Sequence, residues 1–213
     1  SNNAIDIAKR WEEFTLEMFI VLEGEKTAYT EQSVTTTEGV KALVDDTIKF
    51  MARLPNSMFF AGVEEQVREP TMPNDVYDPR IEDFVESAPE VVNAAIDAAM
   101  QEGAKRVAGA LKFGTQKYYL CSSYGPEGEF AATRFDLNVR AFQDELDHSG
   151  QGLCCGTQPS TAEKQMVDAG AKAGRLSKQA IGAVQGEPGT YDLVLSPTVA
   201  ANVIGMVPGA ANP

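Results

Sequence analysis

The feature that most constrains this chain is a strict alternation near its middle. Phe135, Leu137, Val139 and Ala141 alternate with Asp136, Asn138 and Arg140. Successive side chains of a strand point to opposite faces, so a period of two makes one face apolar and the other wet. Such a strand needs partners, and the preceding residues can supply them. Arg106–Phe113 alternates Val107, Gly109, Leu111 and Phe113 with smaller or charged neighbours, and Gln116–Ser123 carries Tyr118, Tyr119 and Leu120, residues that favour strands. Gly114-Thr115 is the expected first turn. Tyr124–Gly128, with two glycines and a proline, is the second. Ala104–Phe142 therefore reads as an antiparallel sheet of three strands, one face of which must be covered by helices.

The flanks offer such helices. Ser87–Glu102 places Val91, Val92, Ala95, Ile96, Ala99 and Met100 on one side, with Pro89 near its first turn and Gly103 where a C-cap belongs. A short helical turn from Asp78-Pro79 to Phe84 precedes it. Ser160–Val184 is the longest expected helix, with Ser160 and Glu163 at capping-box spacing. Asp144–Thr157, rich in glycine, reads as a loop. Earlier in the chain, Asn3 caps a helix to Phe14, Thr15–Glu23 is a strand turned by Gly24, Lys26–Glu31 returns beside it, and Thr37–Leu54 is a helix stopped by Pro55. Asn56–Asp78 reads as an extended crossing segment. Near the end, Asp192–Ser196 is expected as a short buried strand, followed by a helix from Pro197 through Ile204.

This order of helices and strands predicts an α+β fold, antiparallel sheets covered by helices, rather than a doubly wound parallel sheet. It allows two similar α/β units, 1–54 and 79–187, within one module of residues 1–187. Residues 188–213 read as the start of a second, C-terminal domain.

Charge and composition exclude several function classes. Asp and Glu number 31 against 18 Lys and Arg, a net charge of −13, so neither nucleic acid nor an anionic membrane is an expected partner. No apolar run approaches the roughly 20 residues that span a bilayer, and no basic, then apolar, leader opens the chain. The expectation is a cytoplasmic protein. Three cysteines, Cys121, Cys154 and Cys155, do not make a disulfide framework.

The candidate chemistry is sparse. His148 is the single histidine and stands beside Asp144, Glu145 and Asp147. A zinc site needs three or four convergent ligands on a rigid frame, whereas these share one expected loop. Cys154 or Cys155 could serve as a nucleophile with His148 as base, which requires mutual hydrogen-bond reach. Ser122-Ser123 and Ser196-Pro197 have no histidine beside them in sequence. The glycines at 150, 152 and 156 lack the context of a phosphate-binding loop. The reading assigns no catalytic, cofactor-binding or metal-binding residue to this chain.

Four segments together resemble the N-terminal half of the TldD/PmbA (TldE) family: Gly103–Val107, Tyr118–Gly125, Leu137–Phe142 and, most specifically, Pro188–Ala200. The last contains Gly189-Thr190-Tyr191-Asp192-Leu193-Val194-Leu195-Ser196-Pro197. The resemblance implies an α+β module joined to a β-rich C-terminal half that carries a zinc peptidase site in one branch, where an H-E-x-x-x-H helix follows the Leu-Ser-Pro motif. Here Thr198–Met206 contains neither histidine nor glutamate. The chain is thus similar to the branch without the zinc motif, a partner subunit. A second departure is the near-direct passage from Tyr29 to Thr37, where the family has an additional strand pair.

What the resemblance implies is a non-catalytic module of a metallopeptidase complex that cleaves unfolded or extended peptides. It has no cofactor of its own, since zinc is expected only in a catalytic partner. It forms a homo- or hetero-oligomer with a related subunit, and an exposed sheet edge could take an extended peptide. A free-standing binding or assembly domain is the alternative, and a cysteine hydrolase built on Cys154 and His148 is a third reading.

Overall fold

The structure, a computed structural model, describes residues 3–22, 25–58, 60–63, 74–125 and 127–211. The expected turn at Gly24, together with Phe59, Pro70, Met72, Pro73 and Pro126, lies outside them. Two units are distinguished, Ser1–Ile181 and Gly182–Pro213. The fold is α+β, with one two-stranded and one three-stranded antiparallel sheet and four α-helices among the described residues.

In the first unit, β1 (Leu16–Leu22) and β2 (Lys26–Gln32) form a hairpin in which Leu16 faces Gln32 and Leu22 faces Lys26. Helix α1 (Thr37–Met51) follows. Its N-cap is Thr36, whose hydroxyl accepts a hydrogen bond from the Gly39 amide at 3.1 Å, satisfying one of the orphan donors of the first turn. The expected helix from Asn3 to Phe14 is absent: residues 5–15 have no regular structure and are almost wholly exposed. Isolated short helices are marginal in water, and this segment finds no surface on which to bury Ile7, Trp11 and Phe14.

The larger core belongs to α2 (Ile81–Gln101), β3 (Arg106–Cys121), β4 (Glu127–Phe142), β5 (Ser149–Gly156) and α3 (Glu163–Gln179). The sheet order is β3-β4-β5. The alternation at Phe135–Ala141 is realised: Thr133, Phe135, Leu137, Val139 and Ala141 are buried and the residues between them are exposed. They pack against Phe84, Val91, Ala95, Ala99, Met166, Ala169 and Ala173 from the two helices. Phe84 also meets the edge of the Phe113 ring, centroids 4.9 Å apart. Burying a side chain the size of Phe84 or Met166 contributes about 2 kcal/mol.

Three strand expectations are corrected. Gly114-Thr115 is not a turn; the strand runs unbroken from Arg106 to Cys121, Gly114 facing Arg134 and Thr115 facing Thr133. Gly114 has no positive φ, so nothing obliges the chain to reverse there. The reversal falls after Cys121, where Gly125 sits at φ 103°, a region that favours glycine. The third strand is β5, inside the expected Asp144–Thr157 loop.

The glycines of β5 serve helix packing rather than looping. A Cβ on Gly150 would lie 2.3 Å from the Ala173 carbonyl oxygen, and one on Gly152 only 1.8 Å from that of Ala169. On the far side of the same helix, Cβ atoms on Gly170 and Gly174 would lie 2.1 and 2.4 Å from the carbonyls of Ala95 and Ala99. Two small residues two apart on a strand repeat at about 6.7 Å, and two small residues four apart on a helix at about 6 Å. The similar spacing lets α3 settle against both β5 and α2 over more than one contact.

The helices differ from expectation at their ends. The turn at Asp78–Phe84 and the helix at Ser87–Glu102 are one helix, α2, with Pro89 in its interior. Proline normally interrupts a helix, but Ile81, Phe84, Ala88 and Val91 lie on one buried stripe that continues across it. Gly103 follows the helix end as expected, at φ 105°. Helix α3 starts at Glu163 after a 3₁₀ turn at Pro159–Thr161, with Ala162 at its N-cap, so Ser160 and Glu163 form no capping box. Near the end of the sheet, the Gln143 side-chain amide donates to the Gly103 carbonyl at 3.0 Å and the Ser177 hydroxyl at 2.9 Å, and Ser177 donates to the Gly174 carbonyl. This buried set ties β4 to the ends of both helices.

In the second unit, Asp192–Ser196 forms no strand and is exposed, Val194 fully so. Helix α4 spans Pro197–Ala211, longer than expected, and begins with the Ala200 amide donating to the Ser196 carbonyl at 2.8 Å. Among the described residues no helix is long and apolar enough to cross a membrane.

Candidate functional site

The β3 edge of the three-stranded sheet is its most distinctive surface. β3 is an edge strand of 16 residues, well above the usual five or six. An edge strand presents a row of unpaired N–H and C=O groups, which proteins ordinarily shorten, cover or charge. Here the edge is covered at one point only among the described residues. The Asn3 side chain accepts from the Val107 amide at 2.9 Å and donates to the Lys105 carbonyl at 3.3 Å. In a parallel ladder, one residue of the added strand bonds the residues before and after its neighbour in the same way. Asn3 thus stands in for a peptide group. Its own φ is 54°, a conformation that asparagine tolerates better than most residues.

Val107 also fixes the phase of the edge. Its amide points outward, so the amides of alternate residues from Gly109 to Cys121 point outward too. Among the described residues nothing hydrogen-bonds to them. Beyond Phe113 and Phe135 the β3–β4 hairpin runs clear of the helices, and both faces become exposed on the β3 side: Tyr119 is 70% and Leu120 68% exposed. Tyr118 stacks on Phe130, its cross-strand partner, with centroids 6.0 Å apart. A shallow depression of about 360 Å³ lies at this tip, lined by Tyr119, Leu120, Cys121, Glu127, Gly128 and Glu129.

The residues singled out from sequence do not assemble into a reaction centre. Asp144–His148 is a turn between β4 and β5 in which the His148 amide donates to the Glu145 carbonyl and His148 Nδ1 lies 3.8 Å from Glu145 Oε2. Among the described residues, no three metal-ligating side chains come together, so zinc does not fit the donors present there. Cys154 and Cys155 lie near the opposite end of β5 from His148, about 20 Å away along an extended strand. The imidazole cannot serve either thiol as a base. Burial, the neighbouring Cys155 and the Asp136 carboxylate push the Cys154 thiol up, away from the thiolate a nucleophile requires. Ser122 accepts from the Tyr124 amide at the hairpin tip, and Ser196 opens α4. The cysteine-hydrolase reading therefore fails on geometry.

Sequence reasoning missed a different polar centre. Asp78 is fully buried. Its carboxylate accepts from the Arg80 amide at 3.1 Å, the Ser160 amide at 3.0 Å and the Ser160 hydroxyl, and its own amide donates to Thr133 Oγ1 at 2.8 Å. Burial alone would push the carboxyl up. The Ser160 hydroxyl, the two amides and the Arg80 charge together outweigh burial and hold it below the usual range. This centre locks the start of α2 to β4 and to the turn before α3. Partners so far apart in sequence, Asp78, Thr133 and Ser160, leave no local pattern to read.

No model of a protein family matches the chain, and no curated protein does. Solved structures do. A protein from Thermotoga maritima, described as a proposed modulator of a DNA gyrase, superposes with a TM-score of 0.66 at 18% identity, over 88% of this chain and 42% of its own length. A protein from Bacteroides thetaiotaomicron with the same description superposes with a TM-score of 0.55 at 13% identity, over 72% of this chain and 39% of its own. These findings overturn the TldD/PmbA resemblance as a family assignment: no family is shown, and the similar structures are described as proposed gyrase modulators instead. At such identities the likeness is one of fold, and the chain spans less than half the length of either protein.

Proposed function

We propose that this chain is a non-catalytic binding and assembly module whose open β3 edge takes an extended polypeptide by strand addition. The observation that carries the reading is the row of outward amides from Gly109 to Cys121, which stands free among the described residues on a hairpin that outruns its helices. Strand addition draws its affinity from main-chain hydrogen bonds, and so accepts many sequences. In its finer form, the module belongs to an oligomeric, cytoplasmic metallopeptidase complex acting on unfolded or extended peptides, with zinc held by a catalytic partner. The three free thiols suit a reducing compartment. The test is a pair of edge variants, Thr115→Pro and Tyr119→Pro, each of which removes an outward donor at a position where an edge strand tolerates proline. Binding of a reduced, alkylated unfolded protein should weaken in both. Unchanged binding, or stoichiometric chelator-sensitive zinc in this chain, contradicts the reading.

A second reading follows from the descriptions of the two superposed proteins. The chain would then belong to a protein that modulates a DNA gyrase. Its net charge of −13 favours contact with the enzyme over contact with DNA. Supercoiling assays with and without the chain test this, and identical activity contradicts it.

A further inference from the structure

The face of the β3-β4-β5 sheet turned away from α2 and α3 has a charge opposite to that of the protein. The exposed side of β4 carries Arg134, Asp136, Asn138 and Arg140, and the register sets Lys112 opposite Asp136 and Arg106 opposite Phe142. Among the described residues of the three strands, four cations, Arg106, Lys112, Arg134 and Arg140, thus share this face with one carboxylate, that of Asp136, in a chain where carboxylates outnumber cations 31 to 18. Among the described residues none of the four has a carboxylate within 4.0 Å. Two of them are held in place. The guanidinium groups of Arg106 and Arg140 lie over the Phe142 ring at 5.0 and 5.6 Å from its centroid, and Arg140 Nη2 donates to Ser149 Oγ at 3.1 Å. Ordering an arginine before binding lowers the entropy that each charge-assisted hydrogen bond must overcome.

We propose that this open sheet face docks an acidic polypeptide segment, with Arg106 and Arg140 as a preset pair for its carboxylates and Lys112 and Arg134 extending the track toward the hairpin tip. The side chains of this face are distinct from the backbone groups of the β3 edge, and the proposal does not rest on strand addition there. Guanidinium groups pair with carboxylates in a bidentate fork. Alternate side chains of an extended segment repeat at about 6.7 Å, the same interval that separates alternate outward residues on β4. Single-stranded nucleic acid is the weaker fit. Proteins that read it on a sheet or groove offer bare aromatic rings for base stacking. Here Phe142 is covered by two arginines and Tyr118 is stacked on Phe130. The net charge of −13 also repels a long polyanion.

The test is fluorescence anisotropy with the full 213-residue chain and three probes: a short fluorescein-labelled oligoglutamate peptide, an oligothymidine of equal length, and phosphatidylserine vesicles. The oligoglutamate should bind, and salt should weaken the binding. Arg106→Glu with Arg140→Glu should weaken it by at least about tenfold, as expected when like charges replace a preset pair. Lys172→Glu on α3, away from this face, should not. If the double charge reversal disturbs the circular dichroism spectrum, Lys112→Gln with Arg134→Gln supplies the comparison. The proposal is overturned if oligoglutamate does not bind, if the sheet-face variants bind it as the parent does, or if oligothymidine or the vesicles bind more tightly.

Discussion

Gly152 of β5 lies so close to Ala169 of α3 that a Cβ added to it would stand 1.8 Å from the Ala169 carbonyl oxygen. The neighbour is helix backbone, which cannot step aside without moving the helix. Gly152→Ala should therefore destabilise the protein by about 3 kcal/mol, at the upper end of the cost of overpacking. Gly186, with open space around its Cβ position, should accept alanine within about 0.5 kcal/mol. Urea denaturation of both variants measures the difference.

The carboxyl of Asp78 is held below its usual range in the folded chain. A group whose folded pKa is depressed stabilises the fold above its unfolded pKa, about 3.9, and loses that contribution as pH falls through the folded value. The urea midpoint should hold between pH 7 and 5 as far as this group is concerned, then decline below about 4. Asp78→Asn puts an amide N–H or a lone acceptor against two donors from Ser160. It should cost about 1–3 kcal/mol at neutral pH and flatten the acid limb of the profile.

Pro89 is exposed within the interior of α2. It removes one helical hydrogen bond and crowds the preceding turn. Pro89→Ala should raise stability by about 1–3 kcal/mol, since proline costs a helix interior about 3 kcal/mol relative to alanine. The thermal midpoint reports it, and a fall would show that the proline shapes the buried stripe.

Cys154 is half-buried with its thiol pushed up, whereas Cys121 and Cys155 are exposed. Alkylation follows the thiolate. Timed iodoacetamide labelling at mildly alkaline pH, read by mass spectrometry, should modify Cys121 and Cys155 before Cys154. Faster labelling of Cys154 would revive it as a reactive group.

The parts of this fold that were legible from sequence are those set by local period. The alternation at Phe135–Ala141 fixed a strand and its buried face, and the stripe from Val91 to Met100 with Gly103 after it fixed most of α2 and its end. What escaped depends on distant contacts. Gly150 and Gly152 look like loop residues until α3 is seen lying against them. Gly114 looks like a turn until Arg134 is seen opposite. Asn3 reads as a helix cap, yet its amide serves the edge of β3. For the site, Arg140 was visible on the wet face of β4, but placing Arg106 and Lys112 beside it requires the β3 register. The apolar spacing at Ala4–Phe14 suggested a helix that has no surface to pack on.

If the β3 edge receives an extended chain as proposed, amide hydrogen exchange resolved by residue will register it. Alone, the outward amides of alternate residues from Gly109 to Cys121 should exchange rapidly, while those between them, bonded to β4, are protected. With a reduced, alkylated unfolded protein added in excess, the outward set should gain protection and the inward set should change little. Outward amides already protected in the free chain, or left unprotected at saturating polypeptide, would rule out an open, receptive edge.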